Sequence, residues 1–222
     1  MLVKITSALI ILIASSGIAN AQFEMVEKEA ERILISLSDG NSVDPTYLID
    51  LKNLLSSDMG KNLSGSNPAA NQQSIDSLIN HLAEFESELK SISTDSAFVL
   101  FNDWYLHSQN IFYEYSKEKF FSSNKTKILF FSASISCYCT LKMCKDQTIE
   151  LLKFIAENKD HYDYWVIDSY WYNELQIEYE TLFAPAVIVF NGNNEVLYKI
   201  EYEEKMIIKL KEFMNNDKIT KK

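Results

Sequence analysis

The sequence predicts an α/β domain in its second half, a mixed sheet flanked by helices, preceded by an all-α helical region. Two observations carry this. Apolar residues up to about Phe121 recur at helical spacing, whereas beyond Ser122-Ser123-Asn124-Lys125-Thr126 short β-branched and aromatic runs alternate with helical stretches. Four such runs follow, Ile128–Phe131, Tyr164–Asp168, Ala186–Phe190 and Val196–Ile200, and Asn191-Gly192-Asn193-Asn194 between the last two is a hairpin signal. The expected organisation is a signal peptide at 1–21, a helical region at 22–121 and the α/β domain at 125–216.

The signal peptide is read from Lys4, the uncharged apolar stretch Ile5–Ile18, and Ala19-Asn20-Ala21, a small-x-small cleavage site. The apolar stretch is shorter than the usual spanning length of about 20 residues. A periplasmic or secreted chain beginning at Gln22, without stable membrane insertion, is the expectation. Cleavage removes Lys4 and no acid, so the formal charge goes from −10 to −11. Such a chain repels nucleic acid and anionic membranes. Arg32 is the one arginine, which leaves little for bidentate phosphate clamps. No nucleotide, P-loop, zinc-protease or serine-hydrolase motif occurs, His81, His107 and His161 lie far apart in sequence, and no cofactor is expected.

In the helical region, Phe23, Val26, Ala30, Ile33 and Leu34 make one apolar stripe. Tyr47, Leu48, Leu51, Leu54 and Leu55 make a second, entered through Asp44-Pro45 with Asp44 as N-cap. Gly60–Ser74 reads as a loop. Ile75, Leu78, Ile79, Leu82 and Phe85 carry a third helix, and Phe98, Phe101, Tyr105, Phe112 and Tyr115 one long aromatic helix with Trp104 and Tyr113 beside it, a stripe that reads as core or, alternatively, as a partner or peptide groove. The region carries no chemistry of its own.

In the α/β domain the order is strand, helix, strand, short helix (Asn173–Thr181), strand, hairpin, strand and a last helix (about Glu203–Asn215). Strands joined through helices are expected to be parallel and the last two antiparallel. All the cysteines fall within Cys137-Tyr138-Cys139-Thr140-Leu141-Lys142-Met143-Cys144, between the first strand and the first helix. A helix N-terminus favours a thiolate, because free N–H groups and the helix dipole stabilise negative charge. Three cysteines is an odd number, and loops this short gain little from stapling, so clustering points to chemistry or metal binding.

This order, with cysteines opening the first helix and Pro185 opening the third strand, resembles the thioredoxin superfamily over about Lys125 to Met214. Ile128-Leu129-Phe130-Phe131 leading to Cys137, Asp168 ending the second strand, Tyr179 six residues before Pro185, and Ala184-Pro185-Ala186-Val187-Ile188-Val189-Phe190 carry the likeness. The resemblance implies a cis-proline at Pro185, with Ala184 offering backbone to a bound substrate chain, and thiol–disulfide exchange with protein substrates and a redox partner. The sequence departs from the family in having Cys137-Tyr138-Cys139 with no preceding tryptophan, and Phe130 or Phe131 where a buried acid would serve as proton relay.

Cys137 is the expected attacking sulfur and Cys139 its nearest resolver; a C-x-C disulfide closes a tight, strained ring that suits an oxidase or isomerase. Two other readings stay open. Cys139-Thr140-Leu141-Lys142-Met143-Cys144, with Ser136, is similar to the bacterioferritin-comigratory peroxiredoxins, in which Cys139 would reduce peroxide and Cys144 resolve it, although no arginine is at hand. A non-catalytic binding module, or a Cu(I) or Zn(II) carrier using Cys137, Cys139 and Cys144, is the other. Tyr162, Tyr164, Trp165, Tyr170, Trp171 and Tyr172 exceed what alternation can bury; Trp165 is expected in the core and the surplus either facing the helical region or on a contact surface.

Overall fold

The structure, a computed structural model, describes residues 22–56, 68–158 and 161–216. The leader at 1–21 and Gly60–Asn67 of the expected loop lie outside them. The chain forms two compact units that divide between Tyr115 and Ser116.

In the first unit, helix α1 (residues 22–38) buries Phe23, Val26, Ala30, Ile33 and Leu34. Helix α2 (Pro45–Ser56) starts where Asp44 caps it, its Oδ1 accepting from the Thr46 backbone N–H at 2.9 Å and the Thr46 hydroxyl at 2.8 Å. Those two bonds, the backbone one first, hold the Asp44 carboxyl below its ordinary value. After a 3₁₀ turn (Pro68–Ala70), α3 (Gln72–Glu88) is capped by Asn71 and α4 (Thr94–Ile111) by Ser93. Gln72–Ser74, expected in the loop, is therefore the first turn of α3: Asn71 is a cap rather than a loop residue.

The long aromatic helix is not continuous. It ends at Phe112 (φ −96°, ψ 15°), and α5 (Tyr113–Ser122) starts anew. The Phe112 ring is fully buried, 4.9 Å from Phe23. Burying a phenyl ring is worth about 2–3 kcal/mol, against about 1 kcal/mol for a helix hydrogen bond lost at a break, so packing decides. The rest of the stripe is bundle core: Phe101 stacks on Trp104 at 5.2 Å, and the Trp104 indole N–H donates to Leu78 O at 3.0 Å.

The second unit holds β1 (Thr126–Ser132), α6 (Tyr138–Glu157), β2 (Tyr162–Asp168), α7 (Glu174–Glu178), β3 (Ala186–Phe190), β4 (Val196–Glu201) and α8 (Met206–Asn216). The sheet order is β2-β1-β3-β4, with β1 and β2 parallel and the other pairs antiparallel. Ile128–Phe131 and every residue of β3 are buried, as befits strands paired on both sides. Gln147 ties α6 to α8, its Nε2 donating to Glu204 O at 2.6 Å and its Oε1 accepting from the Ile207 N–H at 3.1 Å. Trp165 is buried, with its ring and that of Phe190 against Phe120.

Against the parallel arrangement expected from the sequence, β3 runs antiparallel to β1. Ser132 pairs with Asp168 at the end of β2, and Phe131 with Ala186 at the start of β3. The chain between them therefore returns to the end of the sheet it left. A helix of five residues spans about 7.5 Å, too short to carry the chain back along the sheet as a parallel crossover requires.

In the β3–β4 hairpin the left-handed residue is Asn194 (φ 66°), not Gly192. Gly192 is needed for another reason: a Cβ there would lie 2.3 Å from the Asn124 carbonyl oxygen. Gly192→Ala is expected to lower stability by about 1–3 kcal/mol through this backbone clash; a denaturant midpoint equal to that of the parent chain would contradict it.

Candidate active site

Strand β1 delivers the chain into Ala133–Ser136, and α6 begins at once with Cys137 as its N-cap (φ −67°, ψ 155°). Leu141 N–H donates to Cys137 O at 3.0 Å, closing the first turn. The Cys137 and Cys139 sulfurs are 2.7 Å apart, both exposed and both free thiols. Thr140 Oγ1 lies 3.3 Å from Cys137 Sγ. The Cys139 thiol first, then the Thr140 hydroxyl and backbone N–H, lower the Cys137 pKa from 9.0 to about 7. Each of these bonds favours the charged sulfur.

Cys144 is placed otherwise. It is 2% exposed on the inner side of α6, bonded to the backbone of Ala133 and the side chain of Ser132. Burial, reinforced by the Asp168 charge, raises its pKa to about 11 despite those bonds. The fold thus brings Cys137 and Cys139 together and sends Cys144 into the core. Among the described residues no group of three or more His, Cys, Asp or Glu is set to hold a metal ion.

Opposite the pair, the Ala184–Pro185 peptide bond is cis and Pro185 O accepts from Tyr202 N–H at 2.9 Å. A cleft of about 350 Å³ runs between the two segments, lined on one side by Ile135, Ser136 and Thr140 and on the other by Leu182 and Ala184. Tyr170 and Ile177 extend it. Large apolar side chains stand exposed around it: Tyr138, Trp171, Leu182 and Phe183 are each at least 60% accessible. These include part of the aromatic surplus noted in the sequence.

Several functional residues escape sequence reasoning. Glu201 Oε1 accepts from the Leu182 and Phe183 backbone N–H groups at 2.8 and 2.7 Å, and Lys199 Nζ donates to Tyr179 O and Glu180 O at 2.9 and 3.2 Å. Two residues apart on β4, they share a face and grip the segment before Pro185, the cation on carbonyls and the anion on amides. The only signal in the sequence is a lysine and a glutamate at i, i+2 on an edge strand, which reads as ordinary solubility. Asp168 is buried, its Oδ1 accepting from Ser134 N–H at 3.2 Å and Tyr170 N–H at 3.0 Å, so it ties the cysteine loop to the aromatic loop. Among the described residues its Oδ2 has no hydrogen-bond partner.

Two outcomes follow from this geometry. Alkylation of the reduced protein is expected to label Cys137 with a rate that halves near pH 7 and falls below it, as thiolate is lost, while Cys144 stays unlabelled until the chain is unfolded. Labelling of native Cys144 at the pace of Cys137 would refute the placement. Glu201→Ala is expected to speed hydrogen exchange of the Leu182 and Phe183 amides about tenfold or more, the loss of about 1.4 kcal/mol or more of local protection; unchanged exchange would show that the carboxylate grips nothing.

No protein-family model matches the chain, and neither does any curated protein. Solved structures do. The germline-specific thioredoxin Deadhead of Drosophila melanogaster is 17% identical, with a TM-score of 0.38 over 49% of this chain and 93% of that one. Mitochondrial thioredoxin 3 of Saccharomyces cerevisiae, in its oxidised form, is 15% identical, with a TM-score of 0.37 over 47% of this chain and 88% of that one. Thioredoxin O2 of Arabidopsis thaliana, also oxidised, is 13% identical, with a TM-score of 0.38 over the same shares. Strand order, strand direction and the cis-proline at the cysteine end of the sheet carry the assignment by themselves: the second unit has a thioredoxin-like α/β fold.

Proposed function

We propose that the chain is an exported thiol–disulfide oxidoreductase, of oxidase or isomerase type, acting on protein thiols through Cys137 and Cys139. The observation that carries this reading is the exposed Cys137 sulfur at the α6 N-terminus, 2.7 Å from Cys139, with a pKa lowered to about 7.

In the oxidising direction a substrate thiolate attacks Cys137 of the Cys137–Cys139 disulfide. The bond to Cys139 breaks, Cys139 leaves as thiolate and takes a proton, and a mixed disulfide joins Cys137 to the substrate. A second substrate thiolate attacks the substrate's sulfur in that bond and expels Cys137. The substrate gains a disulfide and the protein holds two electrons, which a disulfide or quinone-type redox partner must accept. In isomerisation the Cys137 thiolate attacks a substrate disulfide and is expelled again after rearrangement, with no net transfer of electrons. A low thiol pKa serves both, because it makes Cys137 a good leaving group and stabilises the reduced form of the pair. The cleft beside Ala184 and Pro185 supports a bound extended chain, and the exposed apolar rim supports an unfolded or partly folded protein as substrate.

Export is proposed from the leader-like residues 1–21 and the cleavage site at Ala21; it places the pair in a compartment where disulfides persist. Thiol titration of the oxidised protein, with chelator present, is expected to give one thiol, reactive only in denaturant, and two more after mild reduction. Cys137→Ser is expected to abolish trapping of mixed disulfides, and Cys139→Ser to accumulate them. Three thiols masked by a chelatable metal, or trapping that persists without Cys137, would refute the proposal.

A further inference from the structure

Tyr202, one residue past β4, has a left-handed backbone (φ 47°), a conformation that side chains other than glycine and asparagine seldom take. Its neighbours show what it achieves. Its N–H reaches Pro185 O at 2.9 Å, its ring lies 5.9 Å from Phe183, and its phenol oxygen is 3.4 Å from Thr140 Oγ1. Thr140 Oγ1 is in turn 3.3 Å from Cys137 Sγ, and Thr140 is 8% exposed. One residue therefore touches the proline segment, the apolar rim and the hydroxyl bonded to the attacking sulfur.

Hydrogen counting fixes the direction of the chain. A thiolate carries no hydrogen and can only accept. Thr140 has a single hydroxyl hydrogen, so when Cys137 is charged that hydrogen points to sulfur. Thr140 Oγ1 can then meet the Tyr202 phenol only as acceptor. The order is Tyr202 O–H to Thr140 O–H to Cys137 thiolate, and the first bond strengthens the second by polarising the hydroxyl. With Cys137 protonated the order is free to reverse, so the chain is specific for the charged form.

Among the described residues other groups do not compete for this task. The remaining donors to Cys137 are the Cys139 thiol and the backbone N–H groups of Thr140 and Cys139. Of the charged side chains around the site, Lys142 pairs with Asp146 at 2.6 Å, Glu201 is bound to the Leu182 and Phe183 amides, and Asp168 accepts from Ser134 and Tyr170.

We propose that Tyr202 is a positioning residue for the Cys137 thiolate, acting through Thr140 as a directed hydrogen-bond chain. The proposal rests on Cys137 as the reactive sulfur but not on disulfide turnover, and its test is independent of turnover. The reduced full chain is alkylated with iodoacetamide across pH, and Cys137 is followed by mass spectrometry of the peptide. Thr140→Val is expected to move the midpoint of the rate–pH profile up from about 7 by about 1, with a higher limiting rate at high pH because a more basic thiolate is more nucleophilic. Thr140→Ser is expected to keep the midpoint. Tyr202→Phe, which keeps ring and backbone, is expected to move it in the same direction by a smaller amount, and the double variant Thr140→Val/Tyr202→Phe no further than Thr140→Val alone. An unmoved midpoint in Tyr202→Phe, or shifts that add in the double variant, would overturn the chain. If mixed-disulfide trapping fails while these profiles hold, the oxidoreductase reading falls and the positioning role stands.

Discussion

The site depends on the pairing of β1 on both sides. Because Ser132 is set against Asp168 in β2 and Phe131 against Ala186 in β3, three chain segments leave the sheet at one end: the cysteine loop, the aromatic loop and the proline segment. Four consecutive buried apolar residues, Ile128–Phe131, anchor β1 in the core between its two neighbours. A slip of one residue would take Ser132 off Asp168 and Phe131 off Ala186, so the strand pairing and the geometry of the thiol pair are the same constraint. The α6 N-terminus is thereby fixed opposite Ala184 and Pro185 without any covalent link between them.

Most of the architecture is legible in the sequence, because it rests on periodicity and local signals. The four strands, α6, the cap at Asp44 and the hairpin all declare themselves through apolar spacing or turn chemistry. The direction of β3 does not, since it depends on where α7 leaves the chain and not on any residue pattern. The break at Phe112 is equally silent: the aromatic spacing continues through it, and only the buried ring packed on Phe23 shows why the helix stops. Gly192 is visible as a turn residue, but the reason glycine is required, the Asn124 carbonyl, is a contact across the sequence.

At the site the division is similar. The cysteine cluster and the proline are legible as residue types in the right order. Which sulfurs work together is not, because Cys139 and Cys144 differ chiefly in the side of α6 they occupy. The stripe that buries Leu151, Leu152 and Ile155 includes Cys144, while Cys137 precedes the helix and Cys139 stands in its exposed first turn. The supporting residues Lys199, Glu201 and Tyr202 act at sequence separations of about 20 to 60 and have no local signature. Phe130 and Phe131 are buried, and the hydrogen bonds of Cys139 and Thr140 are what lower the Cys137 pKa.

The burial of Cys144 has a consequence for how the protein is made. If the chain is exported as proposed, an odd thiol is a hazard for as long as the chain is unfolded, because it can capture Cys137 or Cys139 in a wrong pair or link two chains. Packing α6 onto β1 removes it from that competition twice over, by closing access and by suppressing its ionised form. Under the proposed function core formation would therefore precede oxidation, since a chain that paired Cys144 first would carry a disulfide for which the folded core, with Cys144 2% exposed, has no room.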